Sequence, residues 1–240
     1  MSESHATPIE QLRLDNLHAF YGESHILHGI DMKVNRGELV TLLGRNGAGR
    51  STILKSIMGM VGRRTGSIMV NGRETTRLPA FRIPRLGAGY CPEERGIFAS
   101  LDVEENLLLP PTVRSGGMSL DEIYEMFPNL YERRRSQGTR LSGGEQQMLA
   151  MGRILRTGAN LLLLDEITEG LAPVIVQKLA EVLVKLKGRG LTIILVEQNF
   201  RFAAPLADRH YLIEHGQVAA EISAAELPGK MDLLHRQLGV

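Results

Sequence analysis

Leu39-Val40-Thr41-Leu42-Leu43-Gly44-Arg45-Asn46-Gly47-Ala48-Gly49-Arg50-Ser51-Thr52 is the stretch that decides the fold. Its first five residues are short, almost wholly apolar and without alternation, which reads as a strand buried on both faces of a parallel sheet. A glycine-rich turn follows, and then a helix predicted from just after Gly49 to about Met58, so strand, loop and helix give the context of a phosphate-binding loop. Gly44, Gly47 and Gly49 let backbone N–H groups converge on an anion, and the helix N-terminus adds partial positive charge. Asn46, Ala48 and Thr52 complete the loop, and Ser51 would offer its hydroxyl to Mg2+. The strict pattern has lysine before this serine, but the residue here is Arg50. Taken alone, the loop therefore leaves an ordinary tight turn open.

Two further runs, Leu161 to Leu164 and Leu191 to Val196, have the same buried-strand character. A helix predicted over Val174 to Lys187, with Pro173 before it and Gly188 after it, aligns Ile175, Leu179, Val182, Leu183 and Leu186 on one face to cover such a sheet. The first 35 residues instead alternate apolar and polar positions, as in Leu12-Arg13-Leu14 and Ile30-Asp31-Met32-Lys33-Val34, and predict antiparallel strands. Residues 67–71 predict another strand, and Tyr211 to Ile222 a closing hairpin that turns near His215-Gly216. Between these β regions the capping-box patterns Asp102-Val-Glu-Glu105 and Ser119-Leu-Asp-Glu122 open helices, with a turn-rich linker from Pro110 to Gly117. The run Glu132-Arg133-Arg134-Arg135 reads as a solvated helix face.

Two more motifs carry chemistry. Leu161-Leu-Leu-Leu-Asp165-Glu166 brings two carboxylates to the C-terminal end of a buried strand, where open α/β sheets bind ligands. Asp165 is suited to Mg2+ and Glu166 to polarising a water that attacks a γ-phosphate, although such a pair is often no more than the start of a loop. Leu141-Ser142-Gly143-Gly144-Glu145-Gln146-Gln147 precedes a helical run from Met148 to Leu155. Ser142 and Glu145 have capping-box spacing, which would start a helix in any protein, whereas the paired glycines suit an anion close to backbone N–H groups.

Composition narrows the classes. With 28 basic and 27 acidic side chains in 240 residues the net charge is +1, which argues against wrapping nucleic acid. At 43% hydrophobic and 23% charged the chain is globular rather than disordered. No apolar run approaches the roughly 20 residues of a membrane-spanning helix, and the N-terminal residues lack a secretory pattern, so a cytosolic location is expected. The single cysteine, Cys91, forms no internal disulfide; a small buried hydrophobe is the plain reading, a redox thiol the other. His25 and His28, three apart in a strand-rich region, do not line up as two metal ligands.

The phosphate loop, the Leu-Ser-Gly-Gly-Glu-Gln-Gln segment and the Leu-Leu-Leu-Leu-Asp-Glu segment occur in the order and spacing of ATP-binding cassette (ABC) ATPases, and over almost its whole length the chain resembles that family. Phe98-Ala-Ser-Leu-Asp-Val-Glu-Glu-Asn106, Thr168-Glu-Gly-Leu-Ala-Pro173 and Leu195-Val-Glu-Gln-Asn199 resemble the ATPase subunits of branched-chain amino-acid importers, and urea and amide importers share much of this wording. The resemblance implies an α/β P-loop NTPase core with a mostly parallel sheet, an N-terminal antiparallel β subdomain and an inserted helical subdomain. That divides a single ABC ATPase domain, 1–240, into a nucleotide-binding core of about 1–100 and 156–240 and a helical lobe of about 101–155. It implies ATP and Mg2+ as ligands, Tyr21 stacking on adenine (core packing being the alternative), and Ser142, Gly143, Gly144 and Glu145 contacting ATP held by a second cassette. It also implies permease subunits as partners, docking a coupling helix near Ile97, Phe98 and Leu101, an extracytoplasmic solute-binding protein indirectly, and a peripheral position on the cytoplasmic face of the cell membrane.

Four positions depart from the wider family pattern. Arg50 keeps the charge of the loop lysine but presents a planar fork with different donor geometry. Arginine outnumbers lysine 22 to 6 along the chain, so a general preference contributes to the exchange. Glu93 stands where a Mg2+-contacting glutamine is common, and a carboxylate also binds Mg2+. Gln198 holds the position of the switch histidine; it hydrogen-bonds a phosphate but does not change charge near neutral pH. Ile167 replaces a usual proline without a catalytic meaning. The implied activity is ATP hydrolysis driving import, with Glu166, Gln198 and Arg50 catalytic; the alternative is an ATP-binding, weakly hydrolysing cassette beside a catalytic sister. Chromosome and repair ATPases with the same signature carry long coiled-coil arms or basic surfaces, neither of which is evident.

Overall fold

In the computed structural model, which describes residues 9–231 and 234, β1 (Glu10–Tyr21) pairs antiparallel with β2 (Ser24–Asn35). Alternation sends Leu12 and Leu14 to the buried side, and an irregularity in register around Asn16, where φ is 48°, returns Leu17 and Ala19 to burial, as a sheet with one solvated face requires. β3 (Leu39–Leu43) and α1 (Arg50–Ile57) come next, then β4 (Arg63–Val70) and β5 (Arg73–Glu74). β4 returns beside β1, giving an antiparallel sheet of order β2-β1-β4-β5. The strand expected at 67–71 thus begins earlier, at Arg63, because its whole length finds a partner in β1. It stops at Val70 because Asn71 and Gly72 turn the chain with φ of 50° and 74°.

The second sheet contains β3, β6 (Ala88–Cys91), β7 (Leu161–Asp165), β8 (Thr192–Val196), β9 (Arg209–Glu214) and β10 (Gln217–Ser223), in the order β10-β9-β3-β8-β7-β6. All neighbours are parallel except the edge hairpin of β9 and β10, which turns at His215-Gly216 as the sequence predicts. Every residue of β3, β7 and β8 is buried. Their alternate side chains feed two cores: Leu39, Leu43, Leu162, Leu164, Ile193 and Leu195 join one, and Val40, Leu42, Leu161, Leu163, Ile194 and Val196 join the other. The second core is closed by Ile53, Leu54 and Ile57 of α1 and by the antiparallel sheet. Arg209 ties the two sheets together: it donates to the Lys33 carbonyl of β2 at 2.8 Å and also pairs with Glu38 and Glu221.

The first core is closed by helices. α2 (Val103–Leu108) and α3 (Leu120–Met126) start at Asp102 and Ser119 with complete capping boxes, and α4 (Pro128–Glu132) follows. α5 (Gly143–Arg156) also starts with a complete box, at Ser142, so it begins well before the helical run visible from Met148. α6 (Pro173–Gly188) buries Leu179, Val182, Leu183 and Leu186, each contributing about 1.5–3 kcal/mol of burial, while Ile175 is only partly buried. α7 (Phe200–Ala203) is a single turn. Glu132 to Arg135 is not one helix face: α4 ends at Glu132, and Arg135 lies in the turn beyond, facing Asp102 at 3.6 Å and Glu104 at 3.2 Å. No helix among the described residues is long and apolar enough to cross a membrane.

Candidate functional site

The glycine-rich loop leaves the C-terminal end of β3 and bends into α1 at Gly49, the helix N-cap, where φ is 104°. A Cβ there would lie 2.9 Å from Leu27 Cδ2, so both conformation and space favour glycine. The loop forms one wall of a cleft of about 430 Å³. Of the residues predicted from sequence, Tyr21, Asn46, Gly47, Ala48, Gly49, Arg50, Ser51, Thr52, Glu93, Glu166 and Gln198 all line it. Tyr21 is 45% exposed at the end of β1, which removes the core-packing alternative. Gly44 is not a lining residue; it passes against β9, where a Cβ would meet the Ile213 carbonyl at 2.4 Å.

Arg50 lies at the floor, 4% exposed. Its Nη2 donates to Glu166 Oε1 at 2.8 Å and to Asn46 Oδ1 at 3.3 Å, and its Nη1 to the Glu197 carbonyl at 2.9 Å. Burial holds the guanidinium below its ordinary pKa, opposed by the charges of Glu166, Asp165 and Glu197. Gln198 Nε2 donates to the other oxygen of Glu166 at 2.8 Å. Glu166 itself has φ of 48°, a left-handed conformation uncommon away from glycine, and its N–H is anchored on the Val196 carbonyl at 2.9 Å.

Asp165 is the last residue of β7 rather than the first of a loop, and it is 2% exposed. Ser51 donates to its Oδ1 at 2.8 Å and Tyr90 to its Oδ2 at 2.9 Å; burial nevertheless raises its pKa above the ordinary value. In the same cleft, Glu93, Glu166 and Glu169 bring carboxylate oxygens within 4.8 Å of one another, the only cluster of three among the described residues with the spacing to hold a metal ion. A hydrogen bond with Glu166 raises the pKa of Glu169. Hard oxygen donors of this kind match Mg2+ in chemistry. A buried guanidinium, a helix N-terminus and a group of carboxylates in one cleft suit a polyanion that carries a divalent cation.

Ser142, Gly143, Gly144 and Glu145 do not line the cleft. Their capping box is complete, with Glu145 N–H on Ser142 Oγ and Ser142 N–H on Glu145 Oε2. Packing also accounts for one glycine of the pair, since a Cβ on Gly144 would stand 2.8 Å from Ile175 Cγ2 where α5 meets α6. Cys91 is wholly buried beside Gln147, and burial pushes its thiol up to about 12, so the plain hydrophobic reading holds. Ile167 is a core residue, 1% exposed. His25 does meet another imidazole at hydrogen-bond distance, but its partner is His18 across the strand pair, 3.0 Å away, rather than His28.

Several residues of the site escaped the sequence reading. Glu169 and Ile26 line the cleft, and Tyr90 holds Asp165. Glu197 is 3% exposed, accepts from Thr168 N–H at 3.1 Å and Thr168 Oγ1 at 2.8 Å, and is pushed by burial to about 7. Glu169 and Glu197 stand inside segments already singled out, so position marked them, but neither residue's environment is visible in one dimension.

The ABC transporter family model matches residues 27–169. The chain is 41% identical over 219 residues to a high-affinity branched-chain amino acid transport ATP-binding protein of Pseudomonas aeruginosa, covering 90% of this chain and 94% of that one. It is 39% identical over 220 residues to a probable branched-chain amino acid transport ATP-binding protein of Archaeoglobus fulgidus, covering 90% and 93%. A solved structure described as the ATP-binding subunit of an ABC transporter superposes with a TM-score of 0.80 at 26% identity, covering 96% of this chain and all of that one.

Proposed function

The chain belongs to the ABC transporter ATP-binding family, ATPases that couple ATP hydrolysis to transport, and from that premise we propose that it powers an importer of branched-chain or related amino acids. The observation that carries the hydrolytic part is the convergence of Arg50, Ser51, Glu166 and Gln198 on one cleft at the N-terminus of α1. In this reading Tyr21 stacks on adenine, and Gly44, Asn46, Gly47, Ala48, Gly49 and Thr52 shape or line the cradle for the phosphates. Arg50 pairs with phosphate oxygens, Glu166 polarises the attacking water, and Gln198 orients Glu166 through their 2.8 Å hydrogen bond. Ser51 and Asp165, joined by a hydrogen bond, together with Glu93 from the carboxylate cluster would hold Mg2+, which when bound neutralises charge on the phosphate oxygens.

Ser142 to Glu145 lie outside the cleft of their own chain, which supports a composite site in which they meet ATP bound by a second cassette. The names of the two amino-acid transport relatives support the substrate class, the permease partners and a peripheral position on the cytoplasmic face of the membrane; an extracytoplasmic solute-binding protein is the expected source of selectivity. We divide the chain as one cassette, a nucleotide-binding core interrupted by a helical lobe at about 101–155. A second reading is favoured by the Arg50–Glu166 ion pair: an arginine that holds the water-polarising carboxylate gives a cassette that binds ATP but hydrolyses it slowly beside a faster sister.

The test is steady-state Mg-ATP hydrolysis by the chain assembled with its membrane subunits and any sister cassette, with Glu166→Gln and Arg50→Lys alongside. Wild-type turnover that falls sharply in Glu166→Gln supports the motor. Turnover that matches Glu166→Gln and rises only in Arg50→Lys supports the second reading.

A further inference from the structure

Glu197 has no part in the chemistry above, yet a carboxyl is retained at a position as buried as that of Asp165. A buried carboxyl is costly unless hydrogen-bonded, and this one accepts from Thr168 N–H, from the Thr168 hydroxyl and from the backbone N–H of Asn199. Its own backbone carbonyl receives Arg50 Nη1. Thr168 belongs to the loop between β7 and α6, which carries Glu166 and Glu169 into the cleft, whereas Glu197 opens the loop after β8, which carries Gln198.

A left-handed Glu166 persists only where its surroundings over-determine it. The loop is held on both sides of that residue: by Glu166 N–H on Val196 before it, and by Thr168 on Glu197 after it. We propose that Glu197 is a positioning residue for hydrolysis, its buried carboxyl clamping the Glu166–Glu169 loop to the Gln198 loop so that Glu166 is presented to both Gln198 and Arg50. The part in turnover rests on the ATPase reading above; the clamp itself does not.

The experiment compares wild type, Glu197→Ala, Glu197→Gln and Thr168→Val in the transporter assembled with its membrane subunits and second cassette. It reads kcat and KM for Mg-ATP, ATP affinity, and backbone amide exchange over residues 166–172. Removing the clamp in Glu197→Ala lowers kcat about tenfold or more, the effect of a small misplacement of a reacting group, with ATP affinity within about twofold of wild type. Amide exchange in the loop quickens about tenfold, as expected when a local opening loses a buried hydrogen-bonded anchor. Glu197→Gln restores both, because its amide oxygen accepts from Thr168 N–H while its NH2 donates to the hydroxyl. Thr168→Val shifts both in the direction of Glu197→Ala.

Unchanged kcat in Glu197→Ala, a loss that Glu197→Gln does not restore, or an equal loss of affinity and kcat accompanied by global destabilisation overturns the proposal. Equal turnover in wild type and Glu166→Gln would remove the ATPase reading on its own. Exchange then decides the clamp: equal rates in wild type and Glu197→Ala overturn it, and faster exchange in the variant sustains it.

Discussion

Replacing Arg50 with methionine tests whether the guanidinium and Glu166 hold one another in the folded chain. The side chains are similar in reach, but the variant removes the charge and all three donations, to Glu166, Asn46 and the Glu197 carbonyl. Breaking a buried ion pair by deleting one partner costs about 3–5 kcal/mol, because the other charge is left uncompensated. Glu166 keeps its Gln198 donor and is 11% exposed, which puts the cost near the lower end, about 3 kcal/mol. In a chain of this size each kcal/mol moves the melting temperature by about 2–4 °C, so Arg50→Met should melt about 6–12 °C lower in nucleotide-free buffer. Glu166→Gln in the same background removes the stranded charge and should recover a substantial part, for a coupling energy of about 2 kcal/mol in the double-mutant cycle. Thermal unfolding of the four proteins by circular dichroism gives the numbers. A shift below about 2 °C in Arg50→Met, or a coupling energy within the roughly 0.5 kcal/mol of simple additivity, would refute the reasoning.

Two further outcomes concern buried titrating groups. The folded-state pKa of Glu197, about 7, stands above the ordinary 4.5, so native protein takes up a proton that unfolded chain does not; the stabilisation is full below 4.5 and is lost as pH rises through 7. The difference is worth about 3 kcal/mol, so wild type should lose that much stability relative to Glu197→Gln between pH 4.5 and 8, whereas parallel pH profiles would contradict it. Cys91, pushed to about 12, carries about one part in ten thousand of thiolate at pH 8 and should resist alkylation in native protein but react once unfolded, which mass spectrometry after iodoacetamide treatment resolves.

The parallel sheet was legible because burial on both faces leaves a one-dimensional trace: Leu39 to Leu43 is the strand observed, and Leu161 and Val196 mark true strand ends. The caps at Asp102, Ser119 and Ser142 were equally visible, since a capping box is a local arrangement of four residues. Boundaries set by distant partners were not: β4 runs back to Arg63 only because β1 is there to receive it. The same limit applies at the site. The loop after β3 and the end of β7 announce themselves, but Arg50 bonding the carbonyl of Glu197 joins residues 147 positions apart, and Thr168 on Glu197 joins two loops that meet only once β7 and β8 pair. Gly144 shows the converse, a residue conspicuous in sequence whose small size also answers to the close approach of Ile175.

The alternation of β3 between two cores has a consequence for placement. Leu39 and Leu43 belong to one interior, Val40 and Leu42 to the other, and the glycine-rich loop is tethered directly to the end of that strand. A slip of one residue against β8 and β9 would exchange the occupants of both interiors at once and carry the loop about 3.3 Å along the strand axis. The two interiors therefore act as a ruler: the register that leaves each side chain of β3 in its own interior is also the one that sets where Arg50 and Ser51 stand.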